Sequence, residues 1–214
     1  MKGIDTFVLK MIAIAAMLLD HIGAVLFPQY GILREIGRIA FPIFAYTLVE
    51  GMVHTHNVQK YMLRLGIFAL LSEVPFDLAF FGTPLEFSHQ NVFFTLFLGI
   101  VMLYLTVKAP TMFQKFMYLL GILLLSEFLK TDYNSMGLLM IFVFYYFRNQ
   151  NIVKYLMVAF INIALMGGSQ SLAVLALIPI ALHNGDQGPK CKEFFYGFYP
   201  IHLLIIYFLS IIFK

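Results

Sequence analysis

Residues 17–27 read MLLDHIGAVLF, an apolar stretch broken in its middle by Asp20 and His21. The surrounding run, residues 6–27, is long enough to cross a bilayer, for which about 20 residues are needed. Apart from Lys10 and the Asp20–His21 pair, it is apolar or small throughout. A charged side chain near the bilayer centre costs roughly 2.5–3.5 kcal/mol on insertion scales. Such residues pair with one another, line a wet cavity or perform chemistry. The stretch therefore raises two expectations: a helical membrane bundle, and a purpose for Asp20 and His21.

Composition extends the first expectation to the whole chain. Of 214 residues, 61% are hydrophobic and 12% charged, where soluble domains carry about a quarter charged residues. Mean hydropathy is +0.88. The chain has no Trp, so interfacial aromatic belts fall to Tyr. The single Cys191 excludes an internal disulfide and a cysteine-based metal cluster, and no metal site is expected. A net charge of +3, with no basic run longer than two residues, does not suggest nucleic acid. The first 23 residues have a basic start and an apolar run but no small-x-small cleavage site, which reads as an uncleaved first span.

Gly, Pro and polar breaks divide the chain into apolar runs at 6–27, 35–53, 60–81, 91–108, 111–129, 134–148, 151–167, 171–183 and 194–213. The eighth is short enough to be re-entrant. The expected fold is all-α: one polytopic integral membrane domain over residues 1–214, with eight or nine transmembrane helices. With alternating spans, Lys2, Lys10, Lys60, Arg64, Lys108, Lys115, Arg148, Lys154, Lys190 and Lys192 share the N-terminal side. Arg34, Arg38, Lys130 and Lys214 fall on the other. The positive-inside rule then places the N-terminus in the cytoplasm.

Further polar residues interrupt the spans: Arg34, Arg38 and Glu50 in the second, Arg64, Glu73 and Asp77 in the third, Asn91 and Thr95 in the fourth, Tyr199 and His202 in the ninth. Arg34 and Arg38 share a helix face, as do Glu73 and Asp77. These two bases and two acids, at similar depth, are expected to neutralise one another, as a structural network or as a working one. Pro75 frees a backbone carbonyl between the acids, as helices lining cavities tolerate. Lys10 and His21 are eleven residues apart, so they share a face and lie about 16 Å apart along the axis. Asp20 points about a quarter turn away. His54 and His56, His89 and His183 read as ordinary loop residues, and Glu127 and Asp132 as solvated.

Several blocks are specific together: LLDHIG, GRIAFPIF, SEVPFD, QNVFFTL and FYPIHL, in that order along nearly the whole chain. They resemble the TraX family, whose namesake acetylates the N-terminus of conjugative F-pilin. More widely, that family is similar to multipass acyltransferases that include the lysosomal heparan glucosaminide N-acetyltransferase and the bacterial acyltransferase-three proteins. The resemblance implies transfer of an acetyl group from cytoplasmic acetyl-CoA to an amine or hydroxyl of a protein or glycan acceptor. It places the chain as a multi-pass protein of the bacterial cytoplasmic membrane, in contact with lipids. The family pattern of an Asp and a base near the start of the first helix, and a His near its end, falls on Asp5, Lys10 and His21. The base here is Lys where those relatives commonly have Arg.

On this reading Lys10, Lys60 and Arg64 suit the phosphates of acetyl-CoA. A pantetheine arm spans roughly the Lys10–His21 rise. His21 acts as general base or takes the acyl group covalently, and Asp20 orients it or stabilises its cation. Arg38, Asn91 or Tyr199 stabilises the oxyanion. Glu73 and Asp77 join them as acceptor-binding candidates, and His202 lines the thioester path or is structural. The alternative is a transporter or channel that uses the buried ionisable groups as a pathway. Transporters commonly show an internal repeat of spans, and the DHIG and SEVPFD patterns have no second copy.

Overall fold

The computed structural model describes residues 3–213; Lys2 and Lys214, which enter the charge distribution, lie outside the described residues. Among those residues the chain is a helical membrane bundle without strands, and its helix boundaries follow local chemistry. Helix α1 (Thr6–Val25) starts where the Asp5 carboxylate accepts the Val8 N–H at 2.8 Å. Helix α4 (Val58–Phe81) starts where Asn57 accepts from Lys60 N, and stops at Gly82, whose φ of 71° suits a residue without Cβ. Asn91 caps α5 (Val92–Lys108) and Thr111 caps α6 (Met112–Phe128).

The second expected span is interrupted. Residues 31–54 form α2 (Gly31–Gly37) and α3 (Ala40–His54) with a break between them. Pro42 supplies the reason: it has no N–H for the carbonyl four residues back, that of Arg38. The remaining elements are α7 (Asn134–Tyr146), α8 (Asn151–Phe160) continued by a π-helical turn Ile161–Met166, a 3₁₀ segment Gly168–Ala176 running into α9 (Leu177–Ala181), and α10 (Lys192–Phe213). Inside that turn, buried Asn162 donates to Val158 O at 2.8 Å and accepts from Gln170 Nε2 at 3.1 Å. These two side chains tie the π-helical turn to the start of the 3₁₀ segment.

Three elements are long and apolar enough to cross a membrane by length and composition: α1, the α2–α3 pair and α10. Helix α1 is central, packing against α2, α3, α4 and α10. Its inward face of Leu9, Ala13, Ala16 and Met17 joins Ile43, Leu48, Leu103 and Leu203 in one core. Outward faces carry Leu70, Leu71, Phe116, Leu124, Leu156 and Phe208, side chains whose exposure suits contact with hydrocarbon.

Both ends of the bundle are tied. At the α1 N-terminal end, Ile4 N donates to Leu182 O and Asn184 N to Ile4 O, each at 2.9 Å. His183, expected as an ordinary loop residue, bridges Thr6 Oγ1 at 3.0 Å and Tyr46 Oη at 2.9 Å. At the opposite end Gln90 N donates to Lys130 O at 3.0 Å. There His89 and Asp132, also expected to be free, pair at 3.1 Å.

Helix α2 lies so close to α1 that a Cβ on Gly37 would overlap the Asp20 side chain and backbone, whereas one on Gly31 meets nothing within 4 Å. Gly37→Ala is therefore expected to lower the unfolding temperature in detergent, at a cost of about 1–3 kcal/mol typical of overpacking. Gly31→Ala, the control, should stay within about 0.5 kcal/mol of the parent.

Candidate functional site

Five helices and a loop line a cavity of about 500 Å³, within the roughly 300–1,000 Å³ usual for small-molecule sites. Helix α1 contributes Lys10, Ile14 and Met17, which recur every three or four residues along one face. Helix α10 contributes Phe195, Tyr196 and Tyr199, and α4 contributes Tyr61, Arg64 and Leu65. Helix α3 supplies Phe44, Thr47 and Leu48, and Val92, Phe93 and Leu96 of α5 complete the inner wall. At the mouth are His54, His56, Lys190 and Lys192.

The charges at this site have one sign. Lys10, Arg64, Lys190 and Lys192 line the cavity, and no Asp or Glu is among the described lining residues. Aromatic faces hold two of these cations in place: Lys10 Nζ is 5.2 Å from the Phe195 ring centre, and the Arg64 guanidinium 5.7 Å from that of Tyr61. Arg64 Nε is buried without a hydrogen-bond partner among the described residues. A cationic, partly aromatic mouth of this kind suits a polyanion with a planar ring. Lys60, expected to join it, is exposed at the start of α4 and does not line the cavity. Asp5, assigned by resemblance to the same end, serves as the α1 cap.

The α1 stripe continues past Met17 to His21, and the α10 stripe past Tyr199 to His202. The two imidazoles meet there, with His21 Nδ1 2.7 Å from His202 Nε2. They are 8% and 4% exposed, so the pair is closed off from lipid and bulk water. His202 Nδ1 lies 2.8 Å from the Phe198 carbonyl one turn back. Tyr199 lines the cavity and also meets both imidazoles, with ring centres at 6.0 Å from His21 and 5.5 Å from His202. The far side of His21 is covered edge-on by Phe80.

Asp20 has a different partner from the one expected. Both its oxygens accept from Arg38 Nη2, at 2.6 and 2.8 Å, and Arg34 Nε stands 3.5 Å away. The arginines thus neutralise Asp20 rather than Glu73 and Asp77, because α2 docks directly on α1 while the acids face α5 and the outer loop. Glu73 is hydrogen-bonded by the Asn91 side-chain amide and by Asn91 N at 3.3 Å. Asp77, wholly buried, accepts Glu86 N at 2.9 Å. Asn91 Nδ2 also donates to Ala69 O at 2.8 Å, which occupies both its protons. Of the three oxyanion candidates, Arg38 is bound to Asp20 and Asn91 is fully engaged. Tyr199 is the one that both lines the cavity and touches the histidines.

The sequence blocks that meet in this geometry lie in one family match: the TraX protein family matches residues 6–210. The chain belongs to the TraX family. It is similar to the probable fimbrial assembly protein FimC, serogroup H1, of Dichelobacter nodosus, with 29% identity over 237 aligned positions covering 96% of each protein. A shorter stretch, 42% of this chain, is 31% identical to an uncharacterized protein of Rickettsia prowazekii (strain Madrid E), of which it covers 33%. No solved structure matches. Among the described residues no group of three His, Cys, Asp or Glu side chains is arranged to hold a metal ion.

Tyr61, Phe93 and Tyr196 were not expected at the site, nor were His54, His56, Lys190 and Lys192 at its mouth. Their signal in the sequence is register: Tyr196 and Tyr199 stand three residues apart, and His202 three further on.

Two measurements follow from the polar contacts. Asp20→Ala leaves the Arg38 guanidinium without its partner at 17% side-chain exposure. It should destabilise the bundle by roughly 2–3 kcal/mol, below the range for fully buried pairs, and Asp20→Ala/Arg38→Ala should recover part of that loss in a double-mutant cycle. At the outer loop, the Asp132 hydrogen bond raises the pKa of His89 above its ordinary value, against the opposing effect of burial. The stabilisation from this pair is complete below the unfolded value of about 6.5 and is lost as pH rises through the raised folded value. Thermal unfolding against pH should show that decline in the parent, and His89→Gln should flatten it.

Proposed function

We propose that the chain is a membrane acyltransferase that moves an acetyl group from cytoplasmic acetyl-CoA to an amine or hydroxyl acceptor. The observation that carries this reading is a cations-only mouth opening into a cavity of about 500 Å³ lined by Tyr199, whose ring packs against the buried His21–His202 pair just outside the lining. A channel for a small ion has no need of a polyanion mouth at one end and a paired imidazole at the other.

Lys10, Arg64, Lys190 and Lys192 hold the phosphates, and the aromatic rings beside them take the adenine. The cytoplasmic side is that of Lys10 and Lys192, as the positive-inside rule places it. The pantetheine arm runs down the α1 stripe past Ile14 and Met17. At the thioester carbon the acceptor nitrogen or oxygen attacks, and His21 takes the proton that the acceptor loses. The Tyr199 hydroxyl donates to the carbonyl oxygen as it gains charge. The C–S bond then breaks, and the CoA thiolate leaves with the proton held by His21. The Asp20–Arg38 pair fixes α1 on α2 and so positions His21 from one residue away. Glu73 and Asp77 are turned to Asn91 and to the backbone of Glu86, outside the cavity lining, and take no part in the transfer. The fimbrial assembly protein among its relatives, together with the pilin acetylation associated with the family, supports a pilin N-terminus as that acceptor; an envelope glycan is the second choice.

Acetyl-CoA should raise the unfolding temperature of the detergent-solubilised protein well above the effect of AMP. Lys10→Ala and Arg64→Ala should each raise the KM for acetyl-CoA by roughly tenfold or more, the size of one lost charge-assisted hydrogen bond. His21→Ala should abolish acyl-CoA turnover, and full turnover in that variant would remove His21 from the mechanism. Failure of any CoA compound to stabilise the protein would turn the reading toward a transporter. Mass spectrometry of pilins and envelope glycans, from cells with and without the chain, identifies the acceptor.

A further inference from the structure

We infer that His202 is a positioning residue that holds the proton of His21 on Nδ1 and so reserves His21 Nε2 as the basic nitrogen. The inference rests on the acyltransferase reading for its catalytic consequence but not for its geometry.

The two imidazole planes are 8° from parallel, with ring centres 5.0 Å apart. Stacked rings at that separation would keep their nitrogens at van der Waals distance, yet Nδ1 and Nε2 are 2.7 Å apart. The rings therefore lie side by side, nearly coplanar, with an N–H of one directed along the lone pair of the other. Which ring donates is decided one turn away. The Phe198 carbonyl, 2.8 Å from His202 Nδ1, can only accept, so His202 Nδ1 carries a proton. In neutral His202 the Nε2 atom then has only a lone pair, and His21 Nδ1 must donate to it. The reverse arrangement would set the His202 Nδ1 lone pair against a carbonyl lone pair. A doubly protonated His202, at 4% exposure, would be a charge beside a second imidazole with no carboxylate in contact.

The consequence for His21 is specific. With its proton fixed at Nδ1, its remaining lone pair is at Nε2, which makes no hydrogen bond to any described residue. A free neutral imidazole favours the opposite tautomer, with the proton on Nε2. His202 thus reverses the intrinsic preference and leaves Nε2 ready to accept the acceptor's proton. When it does, the His21 cation still donates from Nδ1 to His202, so no hydrogen bond is broken during the step. The backbone carbonyl of Phe198 anchors the relay and, unlike a carboxylate, brings no net charge into the apolar layer.

The test is ¹⁵N NMR of the full chain in detergent with labelled histidine. The His21 signals are identified by their loss in His21→Ala, among the 6 histidines of the sequence. In the parent protein Nε2 of His21 should give the unprotonated, pyridine-like signal and Nδ1 the protonated one. In His202→Phe, which keeps a ring but removes the acceptor, the two should exchange. His202→Gln, whose Oε1 can accept in place of Nε2, should restore the parent pattern. Turnover should follow the tautomer, with kcat lowered by about 10²-fold or more in His202→Phe, largely recovered in His202→Gln, and KM for acetyl-CoA within about twofold in both. A parent spectrum with the His21 proton on Nε2 would overturn the inference without any variant having to fold. Turnover retained in His21→Ala would instead remove His21 from the transfer step, while the tautomer result stood.

Discussion

A carboxylate inside an apolar layer has to be neutralised where it stands, and the bond between Asp20 and Arg38 does this. It requires close approach, and Gly37 permits it by presenting bare backbone to Asp20. It also requires that Arg38 come at the end of α2, where the missing N–H of Pro42 breaks the helix and turns the chain into α3. The rotation of α1 follows from the same bond. With Asp20 held toward α2, the next residue faces about a quarter turn away, toward α10, and His21 meets His202 there. The ion pair thereby sets the direction of the imidazole beside it.

The molecule also divides its charges by depth. One end has lysines and an arginine around an open cavity with no acid among the described lining residues. The other has its acids in close local contacts: Asp20 with Arg38, Asp132 with His89, Glu73 with Asn91, Asp77 with the backbone of Glu86. Between the two ends the cavity wall has Tyr61, Tyr196 and Tyr199 among aliphatic side chains and Phe93. The cavity therefore presents positive charge at its mouth, and the acids named at the other end are engaged outside its lining.

Much of the fold was legible because membrane spans are written in hydropathy and caps are written in Asp, Asn and Thr. Asp5, Asn57 and Thr111 begin helices where their side chains can accept N–H groups, and the apolar runs match the helices to within a few residues. The single span expected at 35–53 missed the break because its hydropathy is continuous, although Pro42 was there to be read. Pairing was harder. Arg34 and Arg38 were matched to Glu73 and Asp77 by depth, which hydropathy gives, whereas the actual choice of Asp20 depends on which helix faces which. His202 as the partner of His21 was out of reach for the same reason: helical register places each on a stripe but does not say that the stripes meet. Lys60 shows the converse, a cation at the right depth on the wrong face.

The closure of the N-terminal end bears on how the molecule comes into being. Ile4 and Thr6 are bonded to Leu182, Asp186 and His183, and His21 waits 181 residues for its partner. During synthesis α1 enters the membrane with its imidazole unmatched, and every intermediate of the growing chain lacks the α10 wall of the cavity. When α10 arrives it completes the mouth, adds Tyr199 and gives His21 its partner together. The cavity and the imidazole pair therefore form in a single event, and a chain interrupted before α10 has neither in finished form.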